Sequence, residues 1–97
     1  MARKLLYRYT NLAEMMECSV YESARIETVY HQGLWKSTEF TVYVCEFMDL
    51  DSDSRVDLDW YYTLDKAIAR AKFLTAYNRP DSDWRALPEA PNFFVIK

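Results

Sequence analysis

The stretch that decides the fold is Ser23-Ala24-Arg25-Ile26-Glu27-Thr28-Val29-Tyr30-His31, a break at Gly33, and then Ser37-Thr38-Glu39-Phe40-Thr41-Val42-Tyr43-Val44-Cys45-Glu46-Phe47-Met48. In its first half Ala24, Ile26, Thr28 and Tyr30 alternate with Arg25, Glu27, Val29 and His31, the period-two pattern of a half-buried strand. Gly33 is the only glycine in the chain and marks the turn. In the second half Phe40, Val42 and Val44 point one way while Tyr43, Cys45 and Phe47 point the other. Two apolar faces predict a central strand.

Downstream, residues 49 to 55 form a polar loop, after which Val56, Leu58, Trp60 and Tyr62 alternate with Asp57, Asp59 and Tyr61. This predicts a strand with Trp60 in the core, so that Trp60→Ala should cost about 3 kcal/mol or more. Thr63 suits a helix N-cap, and Leu64, Ala67, Ile68, Ala71, Leu74 and Tyr77 recur at helical spacing opposite Asp65, Lys66, Arg70 and Lys72. The run from Asn78 to Asn92 holds all three prolines and is expected to be an irregular loop, closed by a final strand at Phe93-Phe94-Val95-Ile96.

Upstream, Lys4 to Thr10 is dense in aromatic and aliphatic residues and predicts a strand. Asn11 with Glu14 has the spacing of a capping box, which predicts a short helix over about residues 12 to 19 with Leu12, Met15 and Met16 inward. The expected order is β-α-β-β-β-α-β. With short links between successive strands, this is an α+β fold with a mainly antiparallel sheet and both helices packed on one face. At 97 residues the chain suits one compact domain, 1–97.

Composition sets the function classes. Apolar residues make up 51% of the chain, enough for a core without a disulfide or structural metal. Twelve Lys and Arg against fifteen Asp and Glu leave a formal charge of −3, which disfavours direct binding of nucleic acid or an anionic membrane. Cys18 and Cys45 lack ligand spacing and read as reduced thiols, pointing to the cytoplasm. No window approaches the roughly 20 apolar residues of a membrane span, and the N-terminus breaks into Tyr7-Arg8-Tyr9 before a signal-peptide core develops.

Three arrangements carry possible chemistry. Asp49-x-Asp51-x-Asp53 matches the start of a calcium loop, but Ser54 stands where the turn glycine belongs and Trp60 where the bidentate glutamate belongs. Tight calcium binding is not expected. His31 is the single histidine, which removes every relay or metal site needing two, and pairing it with Cys18 or Cys45 requires a low-pKa thiol that an apolar strand does not supply. Glu22, Glu27, Glu39 and Glu46 read as strand surface, with Glu46 at the exposed end of the sheet.

Leu5-Leu6-Tyr7-Arg8-Tyr9-Thr10-Asn11-Leu12 resembles the opening strand of several ADP-ribosyltransferase-like families, in which Leu-Tyr-(Arg or His)-Tyr-Thr precedes a short helix. The resemblance covers under a tenth of the chain. It implies an alternative, a small enzyme or ligand-binding domain in which Arg8 corresponds to the Arg or His those families use in binding the nicotinamide dinucleotide.

The aromatic residues exceed what a small core encloses, and exposed Tyr and Trp are frequent at interface hot spots. Asp49, Asp51, Asp53, Asp57 and Asp59 crowd eleven residues opposed only by Arg55, a field that steers a domain towards a basic surface. The favoured reading is therefore a non-catalytic protein-binding domain, without cofactor or metal. Its expected contacts are those five aspartates with Tyr61, Trp35 and Trp84, and its expected partner is a protein with a basic surface. In size and charge the chain is similar to the small acidic inhibitors made by phages, anti-CRISPR and DNA-mimic proteins among them, which engage nucleic-acid-binding proteins.

Overall fold

The computed structural model describes residues 3–77 and 79–97. Six strands, β1 (Arg3–Asn11), β2 (Met16–His31), β3 (Leu34–Asp49), β4 (Ser54–Tyr61), β5 (Arg85–Leu87) and β6 (Ala90–Ile96), form one sheet with a single helix, α1 (Leu64–Thr75). The sheet order is β4-β3-β2-β1-β6-β5. Neighbours are antiparallel except β1 and β6, which run parallel, so the sheet is mixed.

The expected order β-α-β-β-β-α-β is overturned: among the described residues there is one α-helix, not two. The bond that suggests the first helix does form, with the Glu14 amide donating to Asn11 Oδ1 at 3.2 Å. It closes a hairpin instead. Asn11 is committed to α1 through Nδ2, which donates to the Thr75 carbonyl at 2.7 Å, and Met15 has a φ of 55°, which ends any helical path. Cys18 and Val20 then continue as β2, fully buried.

The stretch from Ser23 to Met48 forms a hairpin, longer than expected. β2 and β3 pair from Met16↔Asp49 to His31↔Leu34. Gln32 (φ 49°) and Gly33 (φ 81°) both take the left-handed region, as a two-residue turn between twisted strands requires. β1 supports β2 only as far as Ser23, and β4 supports β3 only from Tyr43 onward. Residues 24–41 therefore extend beyond the sheet as a two-stranded arm, and the molecule measures 57 × 27 × 25 Å.

Alternation decides what α1 covers. Tyr9, Cys18, Val20, Cys45, Phe47 and Ile96 form one core layer with Ala67 and Ala71 of the helix. Thr63 caps α1, its hydroxyl accepting from the Lys66 amide at 3.4 Å. Among the described residues the opposite face of the sheet carries no helix. There Val44 is fully buried beside its register partner Tyr21, and Arg3 lies 4.3 Å over the Tyr21 ring.

β3 has the two apolar faces expected of it and lies inside the sheet. β4 faces the other way from the expectation. Val56, Trp60 and Tyr62 are 57%, 56% and 67% exposed, while Tyr61 packs against the core and Asp59 meets Arg70 of α1 at 3.4 Å. The helix following β4 folds back over the Asp59 and Tyr61 side, leaving the more apolar side open. Within the expected irregular run, Asn78 lies outside the described residues. The rest holds a 3₁₀ turn (Asp81–Asp83) and the β5–β6 hairpin.

Candidate functional site

The end of the sheet away from the arm gathers three chain segments. The β1–β2 turn, Leu12 to Met15, and the β3–β4 turn, Leu50 to Asp53, are joined where the Leu50 amide donates to the Met15 carbonyl at 2.8 Å. The Leu12 amide donates to the Ile96 carbonyl at 2.8 Å, fixing the end of β6 to the same place. Asn11, 1% exposed, bridges the first turn to the C-terminus of α1.

These bonds place Glu14 in the turn beside the one carrying Asp51 and Asp53, all three exposed, with Asp49 at the end of β3. Leu12 and Met15, 44% and 37% exposed, lie in the same pair of turns. Sequence reasoning missed Glu14, Leu12 and Met15 because it assigned them to a helix. Asp49 Oδ1 accepts from the Asp51 amide at 3.0 Å, so this carboxylate organises its own turn. Among the described residues no group of three or more His, Cys, Asp or Glu is placed to hold a metal ion.

The other expected contacts are dispersed. Asp57 is exposed on β4 and its Oδ1 accepts from the Leu58 amide at 2.8 Å. Asp59 accepts from Tyr61 and Arg70, each at 3.4 Å, and is turned to the helix. Tyr61 is half-buried, and burial with the neighbouring Asp59 pushes its phenol up to about 12. Trp84 is buried edge-on against Tyr9 at 5.2 Å. Trp35 is 70% exposed near the arm tip beside Leu34, 72% exposed. Asp49 lies fourteen positions along β3 from Trp35, roughly 46 Å at strand rise, so the two belong to opposite poles.

The catalytic candidates are separated or occupied. Cys18 and Cys45 are both fully buried, and Cys45 Sγ donates to the Ala67 carbonyl at 3.0 Å. The hydrogen bond between the two thiols, with burial adding, pushes Cys18 well up, and the same bond lowers Cys45. His31 ends β2, eleven residues beyond the Cys45 partner Val20, and its side chain lies outside the described residues. Arg8 lies on the helix-free face, 4.7 Å over the Phe93 ring and 3.6 Å from Glu17. Glu46 pairs with Arg3 at 3.3 Å in mid-sheet on that face and not at an exposed end.

A groove of about 440 Å³ runs between α1 and the Asp81–Asp83 turn, lined by Ile68, Phe73, Lys72, Arg79 and Trp84 among others. Its cations meet carboxylates, Lys72 with Asp81 at 3.6 Å and Arg79 with Asp83 at 3.4 Å. No helix of the described residues is long and apolar enough to cross a membrane. No family model, no curated protein and no solved structure matches this chain.

Proposed function

We propose that this chain is a non-catalytic protein-binding domain whose two joined turns engage a basic surface on a larger protein, of the kind that holds nucleic acid. The observation that carries the reading is the Leu50–Met15 bond, which sets Glu14, Asp49, Asp51 and Asp53 beside exposed Leu12 and Met15. Carboxylates on neighbouring turns project a field that raises the encounter rate with a cationic surface, and the apolar pair supplies contact area once docked. Arg8, the residue on which the enzymatic alternative depends, lies 3.6 Å from Glu17 and 4.7 Å over the Phe93 ring, with its buried Nε making no hydrogen bond among the described residues. Two buried thiols without a bridge suit a reducing compartment, so the proposed location is the cytoplasm.

The test is a Glu14→Gln, Asp51→Asn, Asp53→Asn triple variant, compared with the parent by surface plasmon resonance against a partner captured by cross-linking from the native host. All three positions are exposed, so stability is expected to hold. The association rate should fall at least about tenfold at low ionic strength, and the difference should shrink as salt screens the field. Equal association rates at low salt would remove the electrostatic basis of the reading.

A further inference from the structure

We infer that the free edge of β4 is a strand-addition site for an extended peptide segment of alternating basic and apolar residues; this rests on the proposed function and names the chemistry of its partner.

The Leu50 amide bonds towards β2, so the even-numbered residues of β3 face β2 and the odd-numbered ones face β4. Tyr43, Cys45 and Phe47 pair with Tyr61, Asp59 and Asp57, whose main-chain groups therefore turn inward. Those of Leu58 and Trp60 turn outward, away from the sheet. The Leu58 amide takes the carboxylate of Asp57 as its acceptor at 2.8 Å, as a donor with no neighbouring strand does. Of the two margins of the sheet, β5 offers three residues and β4 eight.

The side chains of this edge are sorted by face. On the helix side Asp57 is exposed while Asp59, two residues on, is held by Arg70 and Tyr61; Leu58 and Trp60 recur on the open side, with Trp60 56% exposed. An incoming strand that alternates Lys or Arg with apolar residues matches both rows. The Asp57 carboxylate adds selectivity. Against a neutral or acidic strand it keeps the Leu58 amide occupied, which protects the edge. A cation on the incoming strand draws the carboxylate away and releases that amide to the incoming carbonyl. A second copy of the chain fits poorly, because antiparallel self-pairing centred on Leu58 sets Asp57 opposite Asp59.

The probe is a synthetic Lys-Val-Lys-Val-Lys-Val peptide, titrated into the full chain by calorimetry with amide exchange followed by nuclear magnetic resonance. The Leu58 and Trp60 amides should gain protection on binding. N-methylating alternate peptide amides on the bonding edge should weaken binding at least about tenfold, since two main-chain bonds are lost while every charge remains. Replacing Lys by Glu should abolish it. Asp57→Asn, which keeps an oxygen for the Leu58 amide but loses the charge, should weaken the Lys peptide about fivefold or more. Equal affinity for the N-methylated peptide, or an unprotected Leu58 amide, would overturn the inference while leaving the acidic turns to be judged by their own association kinetics. A dimer in sedimentation with Leu58 already protected before peptide is added would also overturn it.

Discussion

Tyr9 shows how one side chain ties the core to solution conditions. Its ring stacks on Phe94 at 5.1 Å and meets Trp84 edge-on at 5.2 Å, and burial, with Tyr7 and Asp81 adding, pushes its phenol up to about 12. The folded chain thus holds the neutral phenol more strongly than the unfolded chain, whose tyrosine ionises near 10. The stability this contributes is fully present below pH 10 and is lost as pH rises through about 12. Urea unfolding between pH 9 and 12 should show stability falling across that window. Tyr9→Phe should flatten the fall, with the remainder belonging in part to Tyr61, also raised to about 12. An identical slope in the variant would mean that Tyr9 is not the group being titrated.

At the scale of elements, β4 is where the alternating pattern and the fold disagree. Val56, Leu58, Trp60 and Tyr62 are the more apolar row, yet α1 covers the row of Asp59 and Tyr61. Arg70 and the Tyr61 hydroxyl supply Asp59 with partners, so the polar row is not left unsatisfied under the helix. Trp60→Ala should therefore cost less than about 1 kcal/mol, whereas Val44→Ala, at its fully buried register partner on β3, should cost about 2 kcal/mol. Urea denaturation of the two variants decides the matter. A larger loss for Trp60→Ala would restore the face expected from alternation.

For the whole molecule, the arm of residues 24–41 separates stability from shape. A two-stranded ribbon is marginal by itself, and here it continues past the last residue that β1 or β4 supports. Excising Ile26 to Glu39 and closing Arg25 to Phe40 through Asn-Gly keeps a paired position at the base of the hairpin. It also retains Arg25 over Phe40, at 5.7 Å, and Phe40 beside Tyr62. Melting should stay two-state, with a midpoint within about 4 °C of the parent. A molten product would show that the arm belongs to the folding unit. The acidic turns lie at the opposite pole, so the same excision should leave their association kinetics unchanged.

The residues alone determine the hairpin about Gly33, the N-cap at Thr63 and the helix that follows, the two-sided burial of β3 and the acidic run from Asp49 to Asp59. Each is a local signal: a left-handed turn, a capping hydroxyl, a period of two or of 3.6, a count of charges. Tertiary structure decides what local signals leave degenerate. The Asn11 and Glu14 spacing serves a helix start or a hairpin turn equally, and only the Thr75 carbonyl 64 residues later, with the pairing of Cys18 and Val20 beside β1, selects the hairpin. Alternation in β4 separates two faces but does not say which one a helix will cover. The parallel pairing of β1 with β6, the half-burial of Tyr61 and the burial of Trp84 depend on contacts between distant parts of the chain. The placing of the turn that carries Glu14 beside the turn that carries Asp51 and Asp53 likewise rests on one bond between residues 35 apart, from Leu50 to Met15, which no spacing in the sequence encodes.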